Sequence, residues 1–65
     1  MSQQASVILE FLRDRLSKQG LRVEESGPMN LISQVNWAIW QLDLEIDANQ
    51  AFDIAGEIYR NVQNN

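Results

Sequence analysis

One helical segment, spanning residues 28–46, carries apolar side chains on two of its sides, and this restricts the fold more than any other feature of the chain. At about 100° per residue, Leu31, Ile32, Val35, Ala38, Ile39, Leu42 and Ile46 fall on one arc. Met29, Trp37, Trp40 and Leu44 fall on a second, with the small Ser33 among them. Asn36 and Asp43 separate the arcs on one side, and Asn30, Gln34, Gln41 and Glu45 on the other. A helix with two apolar sides must be covered on both.

Only two other helical patterns are available to cover it. The first helix is expected from Ser2 or Ser6 to Gln19, because either serine can cap its start and Gly20 suits the left-handed residue that ends a helix. Its apolar face is Ala5, Ile8, Leu9, Leu12 and Leu16, widened by Val7 and Phe11. Asp14 and Lys18 stand four apart in the order that favours an ion pair. Residues 21–27 read as a loop whose Leu21 and Val23 tuck against the core. The second helix is expected to open near Pro28, where the missing N–H costs nothing, with Asn30 as an alternative cap, and to run through Leu42 to about Glu45.

The third helix is expected to open at Asp47. Asp47-Ala48-Asn49-Gln50 has capping-box spacing, flanked by Ile46 and Ala51 as a hydrophobic staple. Its buried face is Ala51, Ile54, Ala55, Ile58 and Val62, bordered by Phe52 and Tyr59, and Gln63-Asn64-Asn65 is expected to fray. The short turn at residues 45–48 makes helices two and three an antiparallel hairpin. The expected fold is therefore all-α, with three helices in one domain over residues 1–65 and helix two at its centre.

Two coverings of helix two follow. If helices one and three sandwich it, both tryptophans are core. If both pack on the wide arc, as in ordinary three-helix bundles, the stripe of Met29, Ser33, Trp37, Trp40 and Leu44 meets another chain. The second arrangement is favoured. Each indole represents on the order of 150–250 Å², two exposed together exceed what a monomer ordinarily tolerates, and tryptophan is enriched at interface hot spots. A second copy in a two-fold dimer is the most economical cover, and a different protein is the next.

Chain size points the same way. With 65 residues, a single core rarely supplies more than roughly 3–5 kcal/mol of net stability. Cysteine and histidine are both absent, so neither disulfides nor the usual zinc ligands are available. Association is the remaining device. Thiol chemistry and Ser–His pairs are excluded for the same reason. Ser2, Ser6, Ser17, Ser26 and Ser33 read as caps and loop residues, and no cofactor site is expected. Asp43, Glu45, Asp47 and Asn49 alternate like the start of an EF-hand loop, but Ala48 and Ile54 stand where that loop needs glycine and a bidentate glutamate. No phosphate-binding glycine loop is present. Gly56 lies inside the third helix on its polar side, at a cost of about 1 kcal/mol relative to alanine, and either lets another backbone come close or has no role, the second reading being favoured.

The net charge of −4 is unevenly placed. Residues 1–22 hold four cations, Arg13, Arg15, Lys18 and Arg22, against two acids. Residues 23–65 hold seven acids against Arg60 alone. The basic cluster makes nucleic-acid binding through helix one the alternative function, whereas Asp53 and Glu57 on helix three would repel a DNA backbone. No apolar run approaches the ~20 residues that span a bilayer, Met1-Ser2-Gln3-Gln4-Ala5 lacks the basic segment of a secretory signal, and a cytoplasmic location without membrane binding is expected. The leading expectation is a non-enzymatic, acidic interaction protein, acting as a small regulator, adaptor or inhibitor and as a homodimer through helix two.

Overall fold

A computed structural model describes residues 1–63. Three α-helices make up the structure, α1 (Gln3–Ser17), α2 (Pro28–Gln41) and α3 (Ala48–Gln63), with a 3₁₀ turn at Val23–Glu25 between the first two. There is no strand among the described residues. The expected fraying at Asn64 and Asn65 lies outside them.

Local chemistry explains most boundaries. The Ser2 hydroxyl accepts from the Ala5 N–H and caps α1, while the Ser2 N–H donates to Glu57 and ties the start of α1 to α3. At the other end Gly20 takes a positive φ of 75°. The Leu21 N–H reaches back to the Leu16 carbonyl and the Gly20 N–H to that of Ser17, the paired bonds of a Schellman cap. The capping box of α3 is formed in both directions. Gln50 N–H donates to Asp47 Oδ1 at 2.8 Å, and Asp47 N–H donates to Gln50 Oε1 at 3.1 Å.

The end of α2 departs from the expectation. The helix stops at Gln41 rather than near Glu45. Asp43 adopts a φ of 55°, Leu44 N–H bonds to the Ile39 carbonyl, and Asp43 N–H bonds to that of Trp40. This is a second Schellman cap, with aspartate at the position that glycine usually fills. Aspartate is among the few residues that tolerate a left-handed conformation.

Each helix touches the other two, and the α2–α3 contact is the most extensive. The core is wholly apolar: Ile8 and Leu12 of α1, Val23 of the 3₁₀ turn, Leu31 and Val35 of α2 and Ile58 of α3 are its best-shielded large side chains. No polar or charged side chain is buried among the described residues. Val23 tucks in as expected, but Leu21 is 51% exposed, because the cap at Gly20 turns it outward. Val7 is likewise exposed, whereas Phe11 packs against the core. Both α1 and α3 therefore settle on the wide arc of α2, and Met29, Ser33 and Trp40 of the narrower stripe are left open.

Candidate interaction surface on the second helix

The five residues singled out on the stripe have different surroundings. Met29 and Trp40 are each 77% exposed, and Ser33 is open to solvent. Trp37 is 41% exposed. Its ring lies 5.5 Å from that of Phe11, tilted by 38°, and the Arg15 guanidinium sits over both rings, 5.1 Å from Phe11 and 6.0 Å from Trp37. Trp37 is thus partly claimed by α1. Leu44 leaves the stripe altogether. The early end of α2 carries it off the helix, and it is half-buried against the core. There it lines a cleft of about 270 Å³ with Val7, Glu45 and Ile46.

Helical geometry explains the split. Relative to the buried arc centred on Leu31, Val35, Ala38 and Ile39, Trp37 projects toward the α1 side, while Met29, Asn36 and Trp40 project toward the α3 side. On that side lies a feature that the sequence reading missed. Pro28 and Ile32 of α2 and Phe52, Ala55, Gly56 and Tyr59 of α3 enclose an open apolar cleft of about 120 Å³. Phe52, expected only at the border of α3, is 63% exposed. Gly56, expected on the polar side of α3, forms part of the cleft wall. A Cβ built there would meet only the Nη1 of Arg60, at 3.3 Å. The signal in the sequence was the run Pro28, Ile32, Phe52, Gly56 and Tyr59, but it becomes a surface only when α3 lies beside α2.

The basic cluster is largely engaged within the chain. Arg13 Nη1 bonds Glu24 Oε2 at 2.7 Å, and this pairing, aided by the Glu24 backbone N–H and by Arg22, holds the Glu24 carboxyl below its ordinary value. Lys18 Nζ lies 3.2 Å from Asp14 Oδ2, and Arg15 covers Phe11 and Trp37. Arg13, Arg15, Lys18 and Arg22 are all exposed, but three of the four already have partners. Among the described residues no group of three or more acidic, His or Cys side chains is arranged to hold a metal ion. No described helix is long and apolar enough to cross a membrane.

The site is thus a surface of aromatic and aliphatic side chains on an all-helical scaffold. Compared with protein-family models, curated proteins and solved structures, the chain finds no match.

Proposed function

We propose that this chain is a non-enzymatic protein–protein interaction module, a small regulator, adaptor or inhibitor that works as a homodimer through α2. In this reading residues 1–65 act as one cytoplasmic domain, and α2 and α3 form the antiparallel hairpin that presents the contact surface.

The exposure of Trp40 and Met29, both at 77%, on the side of α2 that the core does not use carries the reading. Removing on the order of 150 Å² of indole surface from water is worth about 4 kcal/mol at ~25 cal/mol per Å². An exposed ion pair such as Lys18–Asp14 contributes about 0–1 kcal/mol. The apolar surface therefore outweighs the charged one as a source of affinity. The nucleic-acid reading has less behind it, because Arg13 and Lys18 would have to exchange Glu24 and Asp14 for phosphates. The acidic half of the chain steers a basic partner's approach rather than holding it.

The test is the mass in solution by light scattering at micromolar concentration. The wild type is expected to scatter as a dimer and Trp40→Glu as a monomer. A wild type that stays monomeric throughout that range contradicts the reading.

A further inference from the structure

We infer that the occupant of the cleft between α2 and α3 is the Trp40 indole of a second copy, inserted reciprocally. This inference deepens the proposed dimer and rests on it.

Size is the first argument. A closed apolar cavity of about 150 Å³ accommodates benzene. The cleft, about 120 Å³, is somewhat smaller but open on one side, so the six-membered ring of an indole can enter it in part, with the rest of the side chain bridging to its own helix. The walls offer aromatic and aliphatic carbon from Ile32, Phe52 and Tyr59. Gly56 puts no side chain into the cleft wall, and the nearest group to the place a Cβ would take is the far end of the flexible Arg60 side chain, at 3.3 Å.

Register is the second. In an isologous contact, if residue i meets j, then j meets i. When two α2 helices cross antiparallel about a two-fold axis near Asn36, Trp40 of each copy lies opposite Ile32 of the other, at the cleft. Met29, Ile32, Asn36 and Trp40 share the α3-facing outer arc that such a crossing would bring together. Asn36 and Ser33, both exposed, are compact enough near the axis to let the backbones approach.

Charge is the third. The same crossing brings the C-terminal end of α2 of one copy, with the exposed Asp43 just beyond it, toward the Pro28 and Tyr59 end of the other's cleft. Arg60, the sole cation of residues 23–65, is there. Its guanidinium lies against Gly56, and it pairs with no carboxylate among the described residues. Area is consistent as well. A standard interface covers about 800 Å² per partner, slightly more than half of it apolar. Trp40, Met29 and Phe52, all on the α3 side, together offer on the order of 400 Å².

The experiment measures dimer dissociation by sedimentation equilibrium for the wild type, Gly56→Leu, Trp40→Ala and the double variant, with circular dichroism to verify the helical fold. It also follows fluorescence of Trp37→Phe, in which Trp40 is the only indole. Trp40→Ala is expected to weaken the dimer about 30-fold or more, as a hot-spot aromatic does. Gly56→Leu, which fills the cleft, is expected to weaken it about tenfold, and the double variant no further than Trp40→Ala alone. The emission of Trp40 is expected to move to shorter wavelength as concentration rises through the dimer transition. A dimer that forms with unchanged emission and tolerates Gly56→Leu overturns the seating of Trp40 while leaving association through α2 in place. Additive losses in the double variant overturn it too. A wild type that never associates overturns both this inference and the proposed dimer.

Discussion

The two sides of α2 both carry large apolar residues but have different surroundings. On one side Leu31, Val35, Ala38 and Ile39 are buried by α1 and α3. On the other, Met29, Ser33 and Trp40 are open, and Trp37 is half covered by Phe11 and Arg15. Hydrophobicity alone does not distinguish the sides. What distinguishes them is that two helices and a 3₁₀ turn suffice to cover one arc and not two. The inner side stabilises the chain, and the outer side, in the proposed reading, is what the chain offers to a second copy.

Substitutions on the two sides should separate these roles. The largest effect is expected from Leu31→Ala on the inner side. Losing a fully buried leucine costs about 2–5 kcal/mol, comparable to the whole stability of a domain this small. Urea denaturation should find that variant largely unfolded, and a folded, wild-type-like Leu31→Ala would break the distinction from the inner side.

Next come the two tryptophans. In dilute solution, where monomer dominates, Trp37→Ala is expected to lower the unfolding free energy by about 1–2 kcal/mol through lost aromatic and cation–π contacts. Trp40→Ala is expected to change it by less than about 0.5 kcal/mol, as befits an exposed position. Equal losses would mean that Trp40 belongs to the core after all.

A smaller effect of opposite sign is expected at the end of α2. Asp43→Gly should stabilise the fold by roughly 0.5–1 kcal/mol, because glycine adopts the left-handed conformation without the Cβ penalty. Thermal unfolding by circular dichroism reads this as a rise in Tm. A fall would mean that the aspartate side chain itself holds the cap.

The smallest effect concerns pH. The Glu24 carboxyl is held low first by Arg13. As acid is added, the unfolded chain takes up that proton before the folded one does. The pair's contribution is therefore present above the ordinary glutamate value and lost as pH falls through the lowered folded value. In Arg13→Ala, NMR titration should show the Glu24 carboxyl moving up toward its ordinary range. An unmoved titration would remove Arg13 as the cause.

Much of this architecture could be read from residues near one another in the chain. The three-residue reach of Asp47 and Gln50, the glycine at position 20 and the apolar spacing of Ala5 to Leu16 each act within one or two helical turns, so periodicity and capping chemistry reveal them. The end of α2 was not legible. Neither glycine nor proline marks it, and the stop depends on Asp43 accepting a left-handed backbone. That one turn moved Leu44 from the stripe to the core. The partial cover of Trp37 and the cleft beside Gly56 were hidden for a different reason. Both arise where side chains from two helices meet, and a wheel drawn for one helix does not contain its neighbour.

Isotope-filtered NMR on a mixture of labelled and unlabelled chains at millimolar concentration tests the role of the outer side most directly. Intermolecular cross-peaks are expected between the Trp40 ring of one copy and methyl groups of α2 in the other. Their absence, or intermolecular cross-peaks confined to α1, would contradict the assignment of α2's outer side as the surface through which this chain associates.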